Sequence, residues 1–229
     1  MNPGRLVLEV LLLFSTFFLP GYLNQASAAA VAASDPVALM LQVVALGIPQ
    51  LLLMVYLVHI QPDGSLDGWG IVALRGRDAA RIVLLVACCM AVILGFTGLL
   101  RLLPPRWSGL LFRGYRWGLG RPAQIPLALL FGLTVGYREE FFFRAYLLRR
   151  LGQAGAPAWA AVTLSTVLFS AGHLYEGILG IAIAACLGAL FSVVYLRQRN
   201  LHVVAISHGL YNALALCLGL FNSSTGARI

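Results

Sequence analysis

Hydrophobic residues in this chain run in long unbroken blocks, without the two- or four-residue alternation that marks a half-exposed strand or helix. Seven blocks stand out, at roughly 6–23, 36–60, 82–103, 123–148, 157–174, 177–196 and 201–221. Each approaches the about 20 apolar residues that a helix needs to cross a bilayer. Lipid offers no partner to an open backbone group, so continuous apolar blocks are expected as helices; a barrel would alternate. The longest gaps, 61–81 and 104–122, leave no room for a separate soluble domain. The pattern predicts an all-α polytopic transmembrane bundle of about seven spans, forming one continuous membrane domain. Residues 1–122 would supply N-terminal helices and an interfacial linker, and 123–229 a core of four helices.

Composition agrees. Of the 229 residues, 60% are hydrophobic and 10% charged, with a mean hydropathy of +0.88, against about 45–50% apolar residues in soluble domains. The net charge is +8, and all 16 basic residues are arginine. These arginines fall mainly between apolar blocks, which argues for topology and lipid headgroups and against nucleic acid. With the N-terminus inside, the inner loops hold Arg75, Arg77, Arg81, Arg149, Arg150, Arg197 and Arg199, while the outer loops at 24–35 and 175–176 hold none. The loop at 104–122 breaks the rule with Arg106, Arg113, Arg116 and Arg121. Its interleaved aromatics suit a segment lying flat in the interface.

The first block has two readings. Arg5, an apolar run and Ala26-Ser-Ala-Ala-Ala30 resemble a cleavable leader. Glu9 within the run and the Pro20-Gly21 break favour a retained helix. Cys88, Cys89, Cys186 and Cys217 sit in apolar runs without metal-ligand spacing, and read as small buried hydrophobes. Three stripes of small residues mark expected close approaches of helices: Gly132 with Gly136; Gly180, Ala184, Gly188 and Ser192; and Ala205, Gly209 and Ala213.

Against this background the adjacent Glu139 and Glu140 are out of place. The chain has four glutamates and puts two of them inside one apolar block. A charge near the bilayer centre costs about 2.5–3.5 kcal/mol on insertion scales, so such residues face a protein interior or a wet cavity and tend to be functional. Arg144 follows Glu140 by four residues and shares its helix face. That pairing makes Glu140 the supported carboxylate and leaves Glu139 available.

Other polar groups fall on separate later blocks. His173 follows Phe169 by one turn, and His208 precedes Asn212 by one turn. His59 and His202 stand at block ends, as interfacial residues would. Glu176, three residues after His173, reads as a loop residue or as an acceptor orienting that histidine. If the bundle converged Glu139, His173, His208 and Asn212, it would build a polar pocket inside a membrane. Burial favours the neutral form of a carboxyl group, which suits a carboxylate to general-base work near neutral pH. A histidine and an amide can donate hydrogen bonds to a developing oxyanion. No serine, threonine or cysteine stands in a nucleophile motif, so water is the expected nucleophile and hydrolysis the expected reaction.

Glu139-Glu140-x-x-x-Arg144, Phe169-x-x-x-His173 and His208-x-x-x-Asn212 occur in that order on three blocks. Together they resemble the motif set of the CPBP intramembrane protease family, which includes the type II CAAX prenyl endopeptidases (the Ras-converting-enzyme type, Abi-like). The resemblance spans roughly 123–221. It implies an intramembrane endopeptidase in which Glu139 activates water, His173 helps to hold and polarise it, and His208 and Asn212 form the oxyanion hole. Glu140, Arg144 and Phe169 would support them. The implied substrate is a membrane-embedded or lipid-anchored protein or peptide: a prenylated CAAX-type tail, a bacteriocin-like peptide or a C-terminal sorting segment.

No cofactor is favoured, because the histidine spacing is not that of a His-Glu-x-x-His zinc site. Zinc held by Glu139, His173 and His208 is the alternative on ligand types alone. A proton-coupled transporter or relay is a further alternative; it predicts an inverted repeat, and none is visible. The expected setting is an integral, multi-pass protein, of the cytoplasmic membrane in a prokaryote.

Overall fold

The computed structural model describes residues 3–61, 65–102, 104 and 118–224. Most of the expected interfacial segment, 105–117, lies outside the described residues. Among the described residues the protein is all-α. Helices α1 (Pro3–Phe17), α2 (Leu19–Leu23) and α3 (Gln25–Ser34) form the N-terminal part, followed by α4 (Pro36–His59) and α5 (Gly76–Arg101). Then come α6 (Ile125–Glu140), a π-helical segment (Phe141–Leu147), α7 (Leu148–Gln153), α8 (Ala158–Ala171), α9 (Gly177–Gln198) and α10 (Leu201–Ser224). Short 3-10 turns at Leu66–Trp69, Pro122–Gln124 and Leu174–Glu176 link some of these elements.

Among the described residues, four segments are long and apolar enough to cross a membrane: Pro36–His59, Gly76–Leu99, Leu174–Gln198 and Leu201–Leu218. The other three expected spans take different forms. The block at 6–23 divides near Phe18, just before Pro20, which lacks the N–H a continuous helix would use. The block at 123–148 changes from α to π geometry after Glu140. The block at 157–174 shortens to the 14 residues of α8, about 21 Å of helix against the about 30 Å of a hydrocarbon core. α8 is therefore too short for a full crossing, and His173 stands in the turn that follows it.

Glu9 has a structural role. It pairs with Arg150 at 3.1 Å, and Arg150, itself buried, lies over the rings of Trp69 and Tyr146. The pair ties α1 to α7, so Arg150 is not the open loop charge that the topology argument took it for. The reading of all four cysteines as buried is corrected: Cys89 is buried and Cys217 half-buried, but Cys88 and Cys186 are exposed. On apolar helices of this kind an outward thiol meets lipid, and a small apolar side chain fits there as well as in the core.

A close helix pair brings the first and third motifs together. α6 and α10 meet along two of the small-residue stripes. A Cβ on Gly132 would lie 2.3 Å from the Gly209 carbonyl oxygen, and one on Gly136 would lie 2.4 Å from that of Ala205. Only glycine permits this backbone-to-backbone approach. One turn beyond Gly136 is Glu140, and one residue before Gly209 is His208, so the same contact brings the carboxylates to the histidine. The Gly180 stripe plays a lesser part: Gly180 accommodates the Glu176 side chain, and Gly188 faces Phe169 and Arg144. Gly136→Leu should lower stability by about 1–3 kcal/mol, read as a shifted unfolding midpoint in detergent. Gly95→Leu on α5, where a Cβ meets nothing within 4 Å, should change it by less than about 0.5 kcal/mol.

Candidate active site

The site is built outward from Glu140, which is 0% exposed. Its Oε1 lies 3.0 Å from Arg144 Nη1, and the Arg144 side chain is also fully buried. Arg144 stands in the π-helical segment, all seven residues of which are buried. The guanidinium is walled by aromatic faces: Phe169 at 4.4 Å, Phe191 at 5.6 Å and Phe143 at 5.7 Å from ring centre to Cζ. Its Nη2 donates to the Gly188 carbonyl at 3.2 Å. A desolvated cation over a ring gains about 2 kcal/mol or more, so the rings take over part of what water would supply.

Glu140 has a second partner. His208 Nδ1 lies 2.8 Å from the same Oε1, and because a carboxylate only accepts, the Nδ1–H donates. This fixes the ring with its Nε2 turned toward Glu139, whose Oε2 is 4.0 Å away. Phe191 stacks on the His208 ring at 5.2 Å with an interplanar angle of 19°, and Phe169 meets it edge-on at 5.9 Å.

Glu139 differs from its neighbour in exposure and in partner. Its side chain is 16% exposed, and its Oε1 lies 3.4 Å from Arg138 Nη2. Arg138 in turn donates to Gln50 Oε1 at 3.3 Å and lies over the Phe18 ring. Sequence spacing left Glu139 without a partner; the structure supplies Arg138. Two carboxylates are thus matched by two guanidiniums, which offsets the cost of holding either charge in an apolar surround.

His173 comes from the turn after α8. Its Nδ1–H donates to the Phe169 carbonyl at 3.1 Å, and its ring packs on that of Phe169 at 5.0 Å. In its neutral form the ring therefore offers Nε2 as an acceptor. Glu139, His173, His208 and Asn212 all line one cavity of about 420 Å³, within the usual range for small-molecule sites. Its wall also includes the apolar side chains of Val43, Phe131, Val135 and Leu216. Glu176 also lines the cavity, with its side chain folded back over Gly180 rather than onto His173. His202 lies apart: Tyr137 Oη is 2.8 Å from its Nδ1. Among the described residues no group of three His, Cys, Asp or Glu side chains is arranged to hold a metal ion.

Three cavity residues had no signal in the sequence. Arg138 was visible only as a charge beside a pair. Tyr22 and Gln25 come from α2 and α3, and bond to Leu168 and Ala171, in each case 146 residues away in the chain. Nothing in their spacing points there.

Comparison with known proteins adds a family. Residues 121–214 match the family model described as type II CAAX prenyl endopeptidase Rce1-like. No curated protein and no solved structure gives a match. The matched segment starts just before α6, ends within α10 and contains every residue of the three motifs. Over residues 121–214 this integral membrane protein is thus similar to the Rce1-like, type II CAAX prenyl endopeptidase family of proteases.

Proposed function

We propose that the protein is a glutamate-type intramembrane endopeptidase that hydrolyses a peptide bond of a membrane-associated protein or peptide. The observation that carries this reading is the shared cavity: residues of all three motifs line it, and Glu139, unlike the fully buried Glu140, opens on it and stands 4.0 Å from His208 Nε2.

In this reading Glu139 takes a proton from a water molecule whose other hydrogen bonds to His173 Nε2. The water oxygen adds to the scissile carbonyl carbon, and the carbonyl becomes an oxyanion. The Asn212 amide donates to that oxyanion. His208 donates from Nε2, which requires a second proton on the ring because Nδ1–H is committed to Glu140; the carboxylate of Glu140 offsets that charge. The C–N bond then breaks as Glu139 returns its proton to the leaving nitrogen. Arg144 and Phe169 hold Glu140 and the two imidazoles in register. No metal takes part in the proposed steps.

The catalytic core in this reading is residues 123–229. Residues 1–122 complete one membrane domain, which in a prokaryotic host would sit in the cytoplasmic membrane. The apolar residues of the cavity wall suit a substrate with an apolar segment. A prenylated CAAX-type tail is the first candidate because the family model names it; a bacteriocin-like peptide and a C-terminal sorting segment are the others.

A farnesylated peptide with a CAAX tail, offered to the protein in detergent or liposomes, is the first probe. Glu139→Gln should lower kcat by about 10²–10⁴-fold, and His173→Gln should act in the same direction. Full cleavage by purified Glu139→Gln protein would sink the base assignment. Asn212→Ala should lower kcat by about 10²–10³-fold with little change in KM.

Glu140 and Arg144 should behave differently. Arg144→Ala leaves a buried carboxylate short of its cation and should cost about 3–5 kcal/mol of stability, with activity and folding lost together in a detergent melt. Glu139→Gln should leave that melt almost unmoved. Cleavage should persist in EDTA or phenanthroline. Loss in the chelator with recovery on adding Zn²⁺ would replace this mechanism by a zinc-dependent one at Glu139, His173 and His208.

A further inference from the structure

The turn that carries His173 is held open by a side chain from the other end of the protein. Were α8 to continue past Ala171, the Tyr175 N–H would bond to the Ala171 carbonyl, the ordinary four-residue step of a helix. Instead the side-chain amide of Gln25 sits between them. Its Nε2 donates to the Ala171 carbonyl at 2.9 Å, and its Oε1 accepts from the Tyr175 N–H at 2.9 Å. A group inserted into the ladder in this way interrupts a helix. The backbone beside it tightens: Gly172 N–H bonds to Phe169 and His173 N–H to Ser170, each a three-residue step.

The change of step matters for the histidine. In a continued helix the Phe169 carbonyl would accept the His173 backbone N–H. Here that N–H goes to Ser170, and the Phe169 carbonyl accepts the His173 ring Nδ1–H. His173 itself has left helical geometry, at φ −112°. Tyr22 braces the same turn. Its hydroxyl donates to the Leu168 carbonyl at 2.7 Å, and its ring lies 3.0 Å from where a Cβ on Gly172 would stand.

We propose that Gln25 is a positioning residue for His173: its amide takes the place of one helical hydrogen bond, keeps the chain unwound at 172–175 and so presents the His173 Nε2 to the cavity. Gln25 lies outside the matched residues 121–214, so the N-terminal helices are a working part of the site. A chain cut within Ala26–Ala30 would lose both Tyr22 and Gln25. This inference rests on the protease reading only for its kinetic consequence; the hydrogen-bond geometry stands apart from it.

The test uses Gln25→Met, which keeps the side-chain size and removes both bonds, and Gln25→Glu, which keeps the acceptor for Tyr175. Two readouts are taken on full-length protein. One is kcat and KM on the farnesylated CAAX peptide. The other is the ¹⁵N NMR signal of the histidine rings, with His173 identified by its disappearance in His173→Gln. The expected result is a kcat at least tenfold lower in Gln25→Met with KM within twofold. The His173 ring should also leave its pure Nδ1–H form, and Gln25→Glu should fall between wild type and Gln25→Met. Movement of the His173 signal in a protein that never cleaves the peptide would support the positioning role while counting against the protease reading. Unchanged kcat with an unchanged ring signal would overturn the proposal. So would activity that falls only in step with the unfolding midpoint while the ring signal stays fixed. Full activity in a chain whose intact mass shows cleavage after residue 25 would overturn it as well.

Discussion

Glu140 is an ionisable carboxyl group with no exposure, inside a bundle whose outer faces are apolar, and the rest of the site is arranged around that burden. A buried carboxylate is tolerable only with a well-placed opposite charge and further hydrogen bonds. Arg144 supplies the charge and His208 supplies a bond, both to the same oxygen. Arg144 then has to be accommodated in turn, and three aromatic rings and the Gly188 carbonyl do this. Those rings belong to the π-helical segment, α8 and α9, so one ion pair fixes the relation of three elements. Two of those rings also flank the imidazoles, Phe169 against His173 and His208 and Phe191 against His208, which makes the support of Glu140 and the orientation of the histidines a single packing problem.

Glu139, next in the chain, meets different conditions. It opens on the cavity, and among the described residues its ionic partners are Arg138 and the more distant His208. A one-residue step around the helix separates a carboxylate committed to structure from one that faces a space large enough for a substrate. The helix-face argument anticipated this division through the Glu140–Arg144 spacing. It did not anticipate that Glu140 would also hold His208, which joins the first motif to the third.

Motifs on separate helices meet only if the helices approach at the right height. Gly132, Gly136 and Gly209 set the approach of α6 and α10 by letting backbone touch backbone. The early end of α8 sets the height of His173, and Gln25 with Tyr22 holds the turn that follows. The N-terminal helices would be easy to regard as an anchor, yet they furnish part of the cavity wall.

The sequence by itself determined the solvent of this protein, its helical class and several of the polar residues that line the cavity. Those properties follow from local composition: unbroken apolar blocks, a rare pair of glutamates, and histidines one turn from Phe169 or Asn212. It also located two of the glycine stripes that turned out to face each other. Span number was less legible, because hydropathy counts apolar residues and is blind to a proline break, a change to π geometry or a helix that stops short. The partners of Glu139, the tie from Glu140 to His208, and the roles of Tyr22 and Gln25 were decided only in three dimensions. Each depends on residues far apart in the chain, and neither helical period nor composition carries information about which distant groups a fold will bring within hydrogen-bond reach.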